Sequence, residues 1–215
     1  MPPLNTQFLT LATFAVFAAL AVLSVMAVTV AVFKTLQFRK LGVGARKQGE
    51  AILGNWLSGE AEKALHLATM RKSVLARVLH AVFSGVQAKP GDTAYAEELG
   101  RQTGLIELAA MTDRMRLLEM VVQSAPMLGL LGTVVGMINA FSVLSMTQGT
   151  VDPAELAGGI WTALTTTAVG LAVALVAYFV ANRFEARIER ERTMIEAAIS
   201  AAIYGRVDPN GASLG

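Results

Sequence analysis

Three long stretches of the chain carry no charged residue, and they constrain its fold more than any other feature. The stretches are residues 1–33, 120–151 and 156–182. Each is longer than the roughly 20 apolar residues that a helix needs to cross about 30 Å of hydrocarbon. Only 16% of the 215 residues are charged, whereas soluble domains average about 25%. The sequence therefore predicts an all-α integral membrane protein with three transmembrane helices.

The first stretch is expected to be a retained span rather than a cleaved signal peptide. No basic residue precedes it, and its apolar run extends from Phe8 to Phe33. A signal peptide has a basic start and a shorter apolar core of about 7–15 residues.

The positions of lysine and arginine predict the orientation of the spans. These residues cluster behind the first and third stretches: Lys34, Arg39, Lys40, Arg46 and Lys47, then Arg183, Arg187, Arg190 and Arg192. The connection between the second and third stretches holds Asp152 and Glu155 and no base. Because cytoplasmic loops are enriched in Lys and Arg, we expect a periplasmic N-terminus and a cytoplasmic C-terminus.

This orientation divides the chain into successive segments. They are a first span at 1–33, a cytoplasmic helical segment at 34–118, a second span at 119–147, a periplasmic turn at 148–156, a third span at 157–183, and a cytoplasmic C-terminal helix and tail at 184–215.

The segment between the first two spans is expected to be helical. Ser58 is a candidate N-cap for a helix that runs through Leu65, and a further helix is predicted over about 70–86. The run Lys89-Pro90-Gly91-Asp92 predicts a break.

Spans two and three are expected to extend into a cytoplasmic helical bundle. From Thr93 a helix is predicted to run without interruption into span two, with an apolar face of Leu99, Ile106, Leu108, Met115 and Leu118. Span three is predicted to continue past the membrane with an apolar stripe of Phe184, Ile188, Ile195, Ile199 and Ala202.

Several classes of function are disfavoured by what the chain lacks. There is no cysteine, which excludes disulfides, thiolate metal sites and cysteine nucleophiles. His66 and His80 have no ligand-like spacing to Asp or Glu, so surface helix positions are favoured over a metal site. The basic residues flank spans and are a topology signal, not a nucleic-acid surface. We expect no enzyme activity and no cofactor.

The second span carries a face of small residues. Gly129, Gly132 and Gly136 share one sector, and Gly132-xxx-Gly136 permits close helix approach, which predicts oligomerisation through this face. Thr133 stands beside them, roughly 20 Å along the helix axis from Met120 and so near the bilayer centre. A single membrane threonine often only bonds its own helix backbone.

The third span carries a cluster of hydroxyls at a similar depth: Thr162, Thr165, Thr166 and Thr167. Small residues continue the line of Thr167 along the helix: Ala163, Gly170, Ala174, Ala177 and Ala181. Two spans thus offer small, hydroxyl-bearing faces for close packing and for exchangeable hydrogen bonds to water or an ion. Because no ionisable residue lies inside any span, a titrating group for ion conduction must come from another chain.

The second and third spans resemble those of the TolQ/ExbB/MotA proton-channel family. The resemblance rests on "APMLGLLGTVVGM", with Ala125, Pro126 and the glycines before Thr133, followed by "AL-TTA-GL-VAL" in span three. The three-span layout is similar to the TolQ/ExbB branch. By position, Thr133 and Thr167 match the family's pore threonines. We predict that the ion pathway and partner seam comprise Thr133, Thr162, Thr166 and Thr167, and that the helix-packing positions are Pro126, Gly129, Gly132, Gly136 and Gly170.

The resemblance implies a subunit of a motor in the bacterial inner membrane. It implies a homo-oligomer, typically a pentamer, around a dimer of ExbD- or TolR-like single-span chains. In that arrangement the partner's intramembrane Asp carries the proton, and mechanical work passes to a TonB-like periplasmic effector. Which pathway is energised, TonB-type import, Tol-type envelope constriction, gliding or another, is left open.

Two positions depart from the family pattern. Thr162 stands where many members have Glu, and Val176 stands where they often have Pro. The first departure removes a candidate relay and leaves the ion open between H⁺ and Na⁺, since hard cations favour oxygen ligands. The alternative function is a non-conducting membrane scaffold whose Thr and Gly stripe serves only helix packing; a self-sufficient transporter or enzyme is disfavoured.

Overall fold

The computed structural model describes residues 6–70, 72–146 and 153–205. Within this part, the chain forms helices joined by short turns, and no strand is found there. The helices are α1 (Thr6–Lys40), α2 (Arg46–Leu57), α3 (Ala61–Met70), α4 (Val74–Ala88), α5 (Thr93–Thr112), α6 (Met115–Met146) and α7 (Pro153–Tyr204). The predicted all-α fold class is confirmed.

Among the residues that the structure describes, three helical segments are long and apolar enough to cross a membrane: Phe8–Lys40, Thr93–Ser142 and Leu156–Tyr204. Each includes all or most of one of the uncharged stretches. The three predicted spans are confirmed, and the chain is a multi-pass membrane protein. Most of the predicted periplasmic turn, including Asp152, and the tail from residue 206 lie outside the described residues.

The chain separates into two compact units. The first, here called the apolar unit, comprises Met1–Val32 and Arg114–Asn182. The second, here called the charged unit, comprises Phe33–Asp113 and Arg183–Gly215.

Helix α4 forms the core of the charged unit. Its apolar face is fully buried around Val78, Leu79, Val82 and Phe83. The ring of Phe83 stacks on Trp56 with centroids 4.1 Å apart. The α7 part of this unit also buries its predicted apolar stripe, with Ile188 at an intermediate exposure and the rest buried: Phe184, Ile195, Ile199 and Ala202.

The prediction of an uninterrupted helix from Thr93 into span two is wrong. Helix α5 ends at Thr112 and α6 begins at Met115, with Arg114 between them at a positive φ of 63°. A residue in this left-handed conformation ends a helix. The last carbonyls of α5 accept side-chain donors from α1, namely Gln37 and Lys34, in place of further helical N–H groups.

Two details of the charged unit also differ from prediction. Ser58 does not start a helix, because it follows the last turn of α2 and Gly59 then turns the chain at φ 84°. Helix α5 buries small residues rather than Ile106, which is 69% exposed. Its buried positions are Ala96, Gly100, Gly104 and Met111.

Candidate functional site

The small-residue face of α6 lies directly against α7 of the same chain. A methyl group placed on Gly132 would lie 2.5 Å from the hydroxyl oxygen of Thr166. One placed on Gly136 would lie 2.9 Å from the Cβ of Ala163. Only glycine permits such an approach, so the face predicted to drive oligomerisation is occupied within the chain. The prediction that this face drives oligomerisation was therefore wrong about its packing partner, which is α7 of the same chain.

The same close packing continues at both ends of this contact, which is here called the α6–α7 seam. A Cβ on Gly170 would lie 2.5 Å from the carbonyl oxygen of Ala125 and 3.0 Å from the Cα of Gly129. Toward the other end, a Cβ on Gly159 would lie 2.6 Å from that of Ala140. The seam therefore extends over about four helical turns of α6 with little room for added atoms.

Two threonines of α7 bond across the seam to one carbonyl. The hydroxyl of Thr167 donates to the carbonyl of Gly129 at 2.9 Å. Thr166 is fully buried, and its hydroxyl donates to Ala163 at 2.6 Å with a longer contact of 3.4 Å to Gly129. The sequence analysis assigned both residues to an ion pathway and partner seam, and it did not single out Thr166 as the more deeply buried of the two.

The remaining predicted hydroxyls bond their own helices and face outward. Thr133 donates to Leu130 at 2.6 Å, Thr162 to Gly158 at 3.0 Å and Thr165 to Trp161 at 2.8 Å. Local bonding of this kind is common for membrane threonines. The structure thus brings Thr166 and Thr167 together at Gly129 and leaves Thr162 and Thr165 on the outer side of α7.

Thr133 opens onto a groove along α6. The groove encloses about 640 Å³ and is lined by Thr133, Val134, Met137, Ile138, Phe141 and Ser142. Its walls are apolar except for the two hydroxyls, and Val134 and Phe141 are about half exposed. The Thr133 hydroxyl therefore lies on an open, mostly apolar groove of α6.

Pro126 lies inside α6 and has no N–H to donate to the preceding turn. Its neighbour Ala125 is completely buried, and the carbonyl of that residue faces Gly170. The proline therefore stands at the end of the seam where the two backbones approach most closely.

One polar residue of span two was not considered in the sequence analysis. The side-chain oxygen of Asn139 is buried and finds no hydrogen-bond partner among the described residues. The backbone carbonyl of the same residue accepts from Ser142 at 2.9 Å. A polar side chain within an uncharged span was the signal that could have identified it.

Comparison with known proteins places the chain in a family. It matches the MotA/TolQ/ExbB proton channel family over residues 70–197. It is 37% identical over 100 residues to a biopolymer transport protein ExbB homolog of Methanothermobacter thermautotrophicus, covering 46% of this chain and 35% of that protein. Identity to biopolymer transport protein exbB1 of Vibrio cholerae is 44% over 63 residues, covering 29% and 28%.

A third relative, the biopolymer transport protein ExbB-like 1 of Synechocystis, is 43% identical over 76 residues, which cover 34% of this chain and 30% of that protein. The chain thus aligns with about a third of the length of these relatives. The family match spans more than half of the chain and includes the whole α6–α7 seam. The chain belongs to the MotA/TolQ/ExbB proton channel family.

Proposed function

We propose that this chain is the channel-forming, stator-like subunit of an inner-membrane motor that couples proton flow to mechanical work. The flow requires an ExbD- or TolR-like partner helix that carries an Asp into the membrane. The observation that carries the proposal is a hydroxyl-bearing pair of spans with no charged residue in residues 120–151 or 156–182. An ion pathway with a wall of this composition needs its titrating group from another chain.

The geometry of Thr133 supports this proposal. Its hydroxyl is exposed on the groove of α6, and it donates to the carbonyl of Leu130. A hydroxyl that donates once still has lone pairs that accept from water or from a protonated carboxyl group. Thr133 therefore acts as an acceptor on the wall, and a partner Asp at its depth supplies the proton.

In this proposal, the Thr167 hydroxyl in the α6–α7 seam forms a second part of the wall of the ion pathway. Thr167 is partly buried and donates to Gly129, so its oxygen is held at a fixed place between the spans. The same oxygen accepts a hydrogen bond when the partner's group approaches. In this proposal, Thr167 and Thr133 hold hydrogen-bonded water on two neighbouring helices.

Assembly completes the proposed pathway. The relatives' names describe biopolymer transport proteins of ExbB type. From the family resemblance we propose a homo-oligomeric ring, typically a pentamer, around two partner helices, with a periplasmic effector that receives the work. The exposed apolar side chains of α1, among them Phe14, Val22 and Val25, then face lipid or neighbouring copies.

The test is ion flux in liposomes that contain this chain with and without the partner. The stretches 120–151 and 156–182 supply no charged group to a pathway between these spans, and a bare cation there costs roughly several kcal/mol even on the most lenient scales. We therefore expect negligible leakage alone, flux with the partner, and none after Asp→Asn in the partner. Substantial flux from this chain alone would contradict the proposal, and separate H⁺ and Na⁺ gradients identify the ion.

One observation favours the second candidate, a non-conducting scaffold. Every predicted site hydroxyl, namely those of Thr133, Thr162, Thr166 and Thr167, already donates to a backbone carbonyl. In a scaffold, these bonds serve helix packing alone. The scaffold predicts no flux in any reconstitution, so the same liposome experiment separates the two functions.

A further inference from the structure

The α1 end of the charged unit carries a lysine with no exposed surface. Lys34 is 0% exposed, and its ammonium group donates to the backbone carbonyl of Met111 at 2.8 Å. One turn later, the side-chain amide of Gln37 donates to the carbonyl of Ala110 at 2.8 Å. Both acceptors belong to the last turn of α5, which ends at Thr112.

These contacts supply the hydrogen-bond donors that the C-terminal end of a helix lacks. The last carbonyls of a helix have no intrahelical donor, and together they carry a partial negative charge. A cation at this end is stabilised by that charge, and a buried carbonyl is costly when it is left unpaired. Lys34 and Gln37 together satisfy two adjacent carbonyls at the point where α5 stops.

An aromatic contact joins a third helix to the same place. The Lys34 ammonium lies 5.7 Å from the ring centre of Phe38, which is itself buried. The Phe38 ring meets the edge of Phe184 with centroids 5.4 Å apart and planes at 74°. These residues form one cluster, buried except at the partly exposed Gln37 and here called the junction cluster: Lys34, Gln37, Phe38, Met111 and Phe184.

We propose that Lys34 is a positioning residue that, with Gln37, clamps the end of α5 to α1 and so fixes the residue at which span two starts. Without the clamp, the last turn of α5 can rewind or fray, because Asp113 and Arg114 no longer have a fixed helix end before them. Arg114 holds a left-handed conformation that is unfavourable for a residue with a side chain. The clamp therefore keeps a strained connection in one register.

The test is hydrogen–deuterium exchange of the full-length chain in lipid nanodiscs, which needs neither partner nor ion gradient and is independent of the proposed function. Lys34→Met keeps a long unbranched side chain and removes the donor. Loss of a charged hydrogen bond predicts roughly tenfold or faster exchange in residues 109–113. Exchange around Val82 and Phe83 of α4 should be unchanged, because that part of α4 packs on Gly100, more than about two turns before residue 109. Gln37→Leu should act on the same residues with a smaller effect.

Lys40→Met is the matched control, since Lys40 is an exposed lysine in the last turn of the same helix. It should leave exchange at residues 109–113 as in the unaltered chain. Equal exchange in the Lys34→Met and Lys40→Met proteins would overturn the proposal. So would a uniform rise across α4 and α5, because that pattern means general destabilisation. If Lys34→Met does not insert, Gln37→Leu decides by the same criterion.

Discussion

The hydroxyl of Thr167 donates a hydrogen bond of 2.9 Å to the backbone carbonyl of Gly129, and so joins two membrane spans. This bond is possible because Gly129 has no side chain: a Cβ there would lie 3.0 Å from the Cα of Thr167. The close approach of backbones and the placement of the hydroxyl are therefore one structural feature. A change that affects the hydroxyl alone separates its packing role from a role in ion flow.

Thr167→Val is the first such change. It keeps the shape and removes the donor and acceptor, so we expect assembly to survive at a cost of about 0.6–1.5 kcal/mol. Ion flux with the partner should fall strongly, and Thr167→Ser should be much milder. The measurements are native mass spectrometry for assembly and liposome flux for function. Thr165→Val is the control, since that hydroxyl bonds its own helix on the outer side.

Thr133→Val should have the same functional effect without weakening the seam. The Thr133 hydroxyl bonds only its own helix at Leu130 among the described contacts, so its loss leaves the α6–α7 packing unchanged. We expect normal thermal stability and reduced flux. If Thr133→Val and Thr167→Val both retain full flux, the two residues serve packing only, and the scaffold function is favoured.

Gly132→Ala tests the seam itself. The added methyl would lie 2.5 Å from Oγ1 and 2.6 Å from Cβ of Thr166, a fully buried residue that has no space to withdraw. Overpacking of this kind costs about 1–3 kcal/mol, and we expect a lower unfolding temperature in detergent. Gly158→Ala is the control, because no described atom outside its own stretch of helix lies within 4 Å of the added methyl. Equal stability of the two variants would contradict the observed packing.

The spans were predictable from sequence, because uncharged stretches such as 156–182 leave a chain no alternative to hydrocarbon. The apolar stripe of α7 was predictable for a related reason, since Ile195 and Ile199 recur with helical spacing. The helix that packs against each face of small residues was not predictable. Gly132 is equally suited to a neighbouring subunit and to Thr166 of its own chain, and only the tertiary structure distinguishes the two.

The end of α5 was unpredictable for a different physical reason. Residues 112–116 contain no glycine or proline, so local signals favour a continuous helix. The helix stops where Lys34 and Gln37 provide donors from far away in the sequence. Long-range side-chain bonds of this kind override local propensity and leave no local pattern.

The ion pair of Arg77 and Glu107 should be the strongest surface coupling in the charged unit. The two side chains form two parallel hydrogen bonds of 2.5 and 2.6 Å between α4 and α5, and Glu107 is only 15% exposed. A double-mutant cycle with Arg77→Met and Glu107→Gln should give about 1–2 kcal/mol. The exposed pair of Arg101 and Glu98 should give a much smaller coupling energy, because solvent screens both charges. Similar values for the two pairs would contradict this ranking.

Glu191 should make stability depend on pH. It is a buried carboxylate, 1% exposed, that accepts from the backbone N–H of Gly44 at 2.8 Å. It lies nine residues beyond Asn182 on α7, outside the uncharged part of span three. Burial raises its pKa above the usual value for Glu, and the hydrogen bond from Gly44 opposes this only in part. The folded state therefore binds the proton more tightly than the unfolded state does.

The sign of the effect follows from this difference in pKa. The stabilisation of the folded chain by protonated Glu191 is fully present below the ordinary pKa of Glu, about 4.3. It is lost as pH rises through the raised pKa of Glu191. Glu191→Gln keeps an oxygen acceptor for Gly44 and carries no charge, so it should become more stable than the unaltered chain as pH rises. Glu191→Ala leaves the N–H unpaired and should destabilise by about 1–3 kcal/mol at low pH, where Glu191 of the unaltered chain is protonated.

The measurement is the free energy of unfolding of the three proteins from about pH 4 to pH 8, a range that brackets the ordinary pKa of Glu and neutral pH. Glu189→Gln, at an exposed position on the same helix, is the control and should follow the unaltered chain. The difference between Glu191→Gln and the unaltered chain should grow with pH, because only the unaltered chain must bury a charge. A difference that is constant across the range would mean that Glu191 titrates alike in the folded and unfolded states, and burial would then have no effect on its proton.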